Sequence, residues 1–567
     1  MRSGLELILL MLAASTGLRI VAERGRVPYA TLLVLGGLGL AAIPTLPRIS
    51  APPDVLFLVF VPPLLYWSAA SFPLRDFRRA SGPILRLAVL MVLVTCAAVA
   101  VVIHAIDPRF TWPAAFALGA IVAPPDPVAV VSLLRSLRLP REIERVLEGE
   151  GLLNDASALV LYRVAVMAAV TNSFSPGRTA VQFLIVGLGG AAVGLAAGAI
   201  VLRLRRITRR IDVADSTLSL LTPFAVYLAA EALECSGVIA VVAAAMYIGR
   251  HVQATLSPAS RLQNGSMWTV VTFLLESLAF ILVGIELPLI VRHLDRATVL
   301  LLMREAAVVF ACMVVVRIVW VFPSAYVGRL IGRWARRGNT PVPSWQRLLF
   351  VGFAGVRGAD SLVIALALPL TTLAGQPFPA RERILFITFC VIFVTLLIQA
   401  PALRPLARWL NLGTDASMAD EEVHARLTSA EAALRALDRF APRELTYPEV
   451  ARYLRQRYRQ RARRWAAQEA RQSESSPNKI DHRHSVTSPP SHEAGMLDEQ
   501  RGVEYARIRF AMILAERRAV IGLRDDGIIG DDVLATLQRE LDFEQILLEG
   551  AQPVGEPPRE VRLSSQG

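Results

Sequence analysis

Apolar runs of about twenty residues recur along roughly the first 410 positions, parted by short segments rich in arginine, glycine and proline. This is neither the alternation of a half-buried strand nor the narrow stripe of a soluble amphipathic helix. Runs that are apolar all round and long enough to cross a bilayer predict membrane-spanning helices. About thirteen spans are expected, near 4–22, 28–45, 53–71, 83–106, 112–136, 143–171, 179–202, 216–233, 237–249, 267–290, 298–328, 346–373 and 384–410. The predicted fold class is an all-α polytopic membrane protein over residues 1–411. After Leu412 acidic and basic residues alternate with helical spacing, as in Ala430-Glu431-Ala432-Ala433-Leu434-Arg435, predicting a helical segment over 412–472. Residues 473–496, with Ser475-Ser476-Pro477 and Ser488-Pro489-Pro490-Ser491, predict a disordered linker. A helical tail is expected over 497–567, with two amphipathic helices parted by Arg524-Asp525-Asp526-Gly527.

Composition agrees: 54% of residues are hydrophobic and 19% charged, which excludes an ordinary soluble enzyme. Cys96, Cys235, Cys312 and Cys390 each stand singly in apolar runs, so neither a disulfide framework nor a thiolate metal site is suggested. The net charge of +13 fits nucleic-acid binding, acidic lipid or membrane orientation, and its distribution decides. Connections after odd-numbered spans hold Arg19, Arg24 and Arg26, then Arg75, Arg78 and Arg79, then Arg135, Arg138 and Arg141, and later ones Arg203 to Arg210, Arg250 and Arg261, and Arg329 to Arg337. Even-numbered connections are poorer, with Arg48, Arg109, Arg178, Arg292, Arg296, Arg381 and Arg383. By the positive-inside rule the N-terminus is expected outside and the C-terminus in the cytoplasm, with the lipid bilayer as partner and no nucleic acid. Met1-Arg2 before an apolar stretch, with Ala13-Ala14-Ser15, is also the pattern of a cleaved signal peptide, whose loss leaves the later spans oriented as before. In the linker His482, His484 and His492 offer a metal site only weakly. The tail shows no catalytic cluster and reads as regulatory or oligomer-stabilising.

Acids inside the spans carry the chemistry, because an ionised group in lipid costs several kcal/mol unless it is paired or lines a water-filled path. Pro124, Pro125 and Pro127 each lack an amide donor and must break the fifth span, and Asp126 stands in the break. Broken backbone at membrane depth survives where it lines a cavity, and half-helix ends then face ions. The alternative is a plain proline kink near the cytoplasmic face. On the sixth span Glu150 and Asn154, four apart, share a face, and Asp155 is turned about 100° from Asn154. Mid-span Arg317 needs an anion, and Glu150 is the favoured partner. Asn154 reads as helix-to-helix glue or as a site residue, and Asp155, without an obvious partner, as a proton or cation site. A second interruption, Gly352-Phe353-Ala354-Gly355-Val356-Arg357-Gly358-Ala359-Asp360-Ser361, lies in the twelfth span. If spans 1–6 and 8–13 are related halves, the two breaks correspond, as in transporters built from inverted repeats with discontinuous helices.

Pro125-Asp126-Pro127-Val128-Ala129, Glu148-Gly149-Glu150-Gly151-Leu152-Leu153-Asn154-Asp155, Arg317 and Gly355-Val356-Arg357-Gly358 together resemble bacterial sodium/proton antiporters of the monovalent cation:proton antiporter family, over about residues 4–410. Phe273-Leu274-Leu275-Glu276-Ser277 to Gly284-Ile285-Glu286-Leu287 is similar to the family pattern as well. The resemblance implies a thirteen-span homodimer in the bacterial cytoplasmic membrane, with a core domain of two crossed broken helices moving against a dimerisation domain. It implies Asp155 as the carrier of cation and proton with Asp126 beside it and Glu150 paired with Arg317, while the second interruption itself puts Arg357 and Asp360 on the second half of a broken helix. Asn154 before Asp155 resembles the electroneutral branch, implying one proton per monovalent cation, with Na+ as the expected cargo and K+ or Li+ as alternatives. No cofactor and no enzymatic step is expected.

Three positions depart from the family pattern: Pro125 where Thr or Ser often precedes the aspartate, Gly151 where Ser often follows the glutamate, and Tyr66-Trp67 where some members carry Glu. Side-chain oxygens are thereby lost. Asp360 is an extra acid that either compensates or pairs with Arg357. Two other classes stand beside the exchanger: a channel or membrane sensor with cytoplasmic output, and an intramembrane aspartyl protease using Asp126 and Asp155. The protease needs a Gly-x-Gly-Asp context that neither aspartate has.

Overall fold

The computed structural model describes residues 2–25, 28–43, 53–72, 82, 84–126, 141–171, 176–208, 211–291, 295–334, 343–412, 417–440, 446–474 and 499–550. Pro127 to Ala129, the loop arginines Arg26, Arg48, Arg75, Arg78, Arg79, Arg135, Arg138, Arg209, Arg210, Arg292, Arg336 and Arg337, and the linker histidines His482, His484 and His492 lie outside the described residues. Among the described residues the chain is helical, with one isolated antiparallel bridge between Thr371 and Pro377.

The helices are α1 (Arg2–Gly25), α2 (Tyr29–Ala41), α3 (Pro53–Ser71), α4 (Val92–Ile106, preceded by a π-helical turn at Arg86–Met91), α5 (Trp112–Val122), α6 (Arg141–Thr171), α7 (Pro176–Thr208), α8 (Asp212–Ala232), α9 (Gly237–Thr255) and α10 (Pro258–Val291). Then come α11 (Arg296–Trp334), α12 (Trp345–Phe353), α13 (Ala359–Leu366), α14 (Arg381–Val394), a π-helical turn (Thr395–Gln399) and α15 (Ala400–Trp409). The tail holds α16 (Ser417–Asp438), α17 (Pro448–Glu474), α18 (Glu499–Asp526) and α19 (Asp531–Gly550). Among the described residues seven helical stretches are long and apolar enough to cross a membrane, and shorter apolar helices accompany them at Tyr29–Ala41, Val55–Ser71, Trp112–Val122 and Gly237–His251. Short pieces arise where the sequence breaks its own helices: α5 stops before Pro124-Pro125, and α12 stops at the glycine-rich segment before α13.

The chain divides into two compact units, one of Met1–Leu256 with Asn264–Thr414 and one of Ser257–Gln263 with Asp415–Gly567. In the first unit apolar side chains face outward as well as inward: Leu188 on α7 is 70% exposed and Leu300 on α11 is 68% exposed. In water such faces would cost free energy, whereas lipid tails solvate them at no loss, so packing between helices rests on close fit. Gly37 of α2 and Gly284 of α10 provide one such fit. A Cβ at Gly37 would collide with the Ile281 carbonyl, and one at Gly284 would collide with that of Val34. Nearby Tyr29 bonds Ser277 and stacks on Phe273.

The second unit is held by buried ion pairs as well as by an apolar core that includes Ala433, Leu437, Leu454 and Met512. Arg509 bonds both Glu516 (2.8 Å) and Glu544, and Tyr458 and Ser429 complete the bonding of Glu516. Burial opposes the charge of Arg509, yet Glu516 and its neighbours outweigh it and raise the guanidinium above its ordinary value. Asp542 is shared by Arg261 (2.5 Å) and Arg517 (2.6 Å).

Candidate functional site

The two interruptions seen in the sequence meet in space. The amide of Asp126, just past the end of α5, donates to the Val356 carbonyl at 2.8 Å, a backbone bond that joins the two broken segments. Backbone groups freed where helices stop must find partners at membrane depth, and several here do so with the other break or with a buried side chain. Arg357 donates Nε to the Val122 carbonyl at 2.5 Å and Nη1 to that of Gly355 at 2.7 Å. A guanidinium thus closes the negative C-terminal end of α5. The π-helical turn serves the other break: Thr395 Oγ1 accepts from the Arg357 amide at 3.2 Å, and Gln399 Nε2 donates to the Phe353 carbonyl at the end of α12 at 2.6 Å. Sequence reasoning missed Thr395 and Gln399, since a Thr and a Gln in an apolar run carry no local signal of their partners.

Gly358 is where the breaks touch most closely. A Cβ there would lie 2.5 Å from Asp126 Cγ and 2.6 Å from its Cβ, so any side chain must displace Asp126. Gly358→Ala is expected to lower exchange at least about fivefold with most of the protein still folded, since a small-to-large change in a packed site costs about 1–3 kcal/mol. Wild-type flux in vesicles from this variant would contradict a required close approach.

Glu150 of α6 and Arg317 of α11 form the expected pair. Arg317 donates Nη1 to Oε1 at 2.5 Å and Nη2 to Oε2 at 2.7 Å, with the two side chains 2% and 1% exposed. Its Nε donates to the Val351 carbonyl of α12 at 3.2 Å, so one arginine ties α6, α11 and a broken helix together. Asn154 is fully buried, and its amide is engaged by backbone at both ends: Nδ2 donates to the Pro125 carbonyl at 2.8 Å, and Oδ1 accepts from the Asp155 amide at 2.6 Å. Pro125, which brings no side-chain oxygen, contributes its carbonyl to this tie. Trp67 packs rather than coordinates, stacked on Trp268 at 5.7 Å, and Gly151 is buried.

Asp126, Asp155 and Asp360 are each partly accessible, although the groups around them are sealed. Asp155 and Asp360 line a common cavity between α3, α6, α9 and α13, with Phe57, Leu65, Leu159, Val238 and Ile364 among its apolar walls. The space open to the centre of a water molecule is about 20 Å³, room for one water or one small ion. Asp360, Asp126 and Glu150 all lie within electrostatic reach of Asp155. Glu276 of α10 also lies within electrostatic reach of Asp126 and Asp360. In the sequence it stands out only as part of a family pattern.

Carboxylates gathered where two helix breaks meet, beside a small apolar cavity, are suited to holding a cation or a proton. The family described as "Sodium/hydrogen exchanger, transmembrane" matches residues 9–409. The chain belongs to the sodium/hydrogen exchanger family. It is 34% identical over 555 residues to an uncharacterized Na(+)/H(+) exchanger of Mycobacterium tuberculosis, covering 96% of each chain. It is 34% identical over 420 residues to a sodium, potassium, lithium and rubidium/H(+) antiporter of Bacillus pumilus, covering 70% of this chain and 60% of that one. The solved sodium proton antiporter MjNhaP1 of Methanocaldococcus jannaschii has the same fold, with a TM-score of 0.55 and 19% identity over 72% of this chain and 98% of that one. This exchanger is a multi-pass membrane protein that carries out cation/proton antiport, and its family is one of transporters. The channel, sensor and protease readings are not favoured.

Proposed function

We propose that the exchanger moves sodium, with potassium and lithium as competing cargo, against protons one for one, using Asp155 as the carrier and Asp126 beside it. The observation that carries this reading is the small cavity between α3, α6, α9 and α13, where Asp155 and Asp360 are the polar groups in an apolar lining. A carboxylate so placed is neutral only when it holds a proton or a cation, and the two compete. If the site crosses the membrane only when occupied, that competition is exchange. Asn154 acts through position, tying α6 to the carbonyl before Asp126. Arg317 and Glu150 act as a structural pair, and Arg357 holds the two breaks together. The printed substrates of the Bacillus pumilus relative support monovalent cargo beyond sodium.

The arginine distribution supports an orientation with the N-terminus outside and the tail inside, and family membership supports a bacterial cytoplasmic membrane as its place. We take 1–411 as the exchange domain, 412–472 and 497–567 as helical cytoplasmic parts and 473–496 as their linker, and a homodimer as the working assembly. The full-length protein, reconstituted in acid-loaded vesicles containing a pH-sensitive dye, is expected to release protons on addition of sodium, potassium or lithium in turn. Silence toward every cation would return the channel or sensor reading.

A further inference from the structure

Asp360 has two readings from the sequence: partner of Arg357, or substitute for oxygens missing at positions 125 and 151. The contacts separate them. Arg357 directs Nε and Nη1 to the carbonyls of Val122 and Gly355, and the charges that act on it are those of Arg317 and Glu150. Asp360, in the first turn of α13, instead lines the cavity of Asp155. The rest of that lining is apolar, including the whole contribution of α3, where Phe57, Val61, Leu64 and Leu65 offer no oxygen. Hard monovalent cations need oxygen ligands, and a cavity of this size admits an ion with few waters. Resting on the exchange reading above, we propose that Asp360 is a second carboxylate ligand, and that the transported cation sits between Asp155 and Asp360, its shell completed by water and backbone carbonyls.

The charge count follows. One monovalent cation between the two carboxylates leaves one negative charge, which a proton retained on the pair neutralises. When the cation leaves, a second proton replaces it. The exchange therefore stays at one cation for one proton, and Asp360 sets how tightly the cation is held.

The test uses full-length protein in vesicles. Asp360→Asn and Asp360→Ser keep a polar group in the first turn of α13 but lose the charge. Both are expected to raise the sodium KM about tenfold, the effect of losing one charged ligand, with a much smaller change in maximal rate. Asp360→Glu should recover part of the affinity. A purely structural role predicts a lower yield or rate with KM unchanged, and that result in either folded variant overturns the proposal. Should neither variant fold, the wild type still decides. Dicyclohexylcarbodiimide, which reacts with carboxyls in apolar settings, should label Asp155 and Asp360 by mass spectrometry, and sodium should protect both. Protection of Asp155 alone overturns the role of Asp360. A wild type that exchanges no cation would instead sink the exchange reading itself.

Discussion

Asp155→Asn is expected to reduce cation-dependent proton flux in vesicles to background while leaving the protein folded in the membrane. The substitution keeps the volume of the side chain and its place in α6, and removes only the charge that neutralises a cation. An uncompensated cation in a small, mostly apolar cavity faces a desolvation cost that an amide does not offset. Asp360 remains, but the cavity then keeps one of the two carboxylates that line it. Flux is read with the pH dye and folding by monodispersity in detergent. Near-normal exchange from folded Asp155→Asn protein would remove Asp155 from the carrier role.

Arg317→Ala is expected to show the opposite signature, loss of folded protein rather than a change in ion preference. The variant leaves Glu150 buried and unpaired and frees the Val351 carbonyl at the end of a broken helix. Breaking one side of a buried pair costs about 3–5 kcal/mol, against a total stability of about 5–15 kcal/mol for a typical domain. Yield and the midpoint of thermal unfolding in detergent should both fall sharply. A double replacement, Glu150→Leu with Arg317→Met, should recover part of the yield, because it leaves no charge uncompensated. Normal yield from Arg317→Ala with altered selectivity would show instead that the pair belongs to the ion pathway.

Several residues are legible in the amino-acid order because bilayers make charge expensive. Glu150 and Arg317 point to each other as two ions in apolar runs, and the pair forms. Proline and glycine mark both helix breaks, near Pro124-Pro125 and at 352–361, for reasons local to the backbone. Thr395 and Gln399 are invisible there, because their importance comes from unsatisfied carbonyl and amide groups on a distant segment. Glu276 is visible as an acid, but its nearness to Asp126 and Asp360 belongs to the packing of α10.

The helical membrane class, the two breaks and the acids available for exchange all follow from the order of residues, since hydropathy over about twenty residues and the chemistry of proline act locally. Which acid faces which follows from the packing of the helices alone. That packing sets Arg357 on the end of α5 and leaves Asp360 beside Asp155. The partners that satisfy a buried charge come from helices hundreds of residues apart, brought together by contacts that no local pattern encodes.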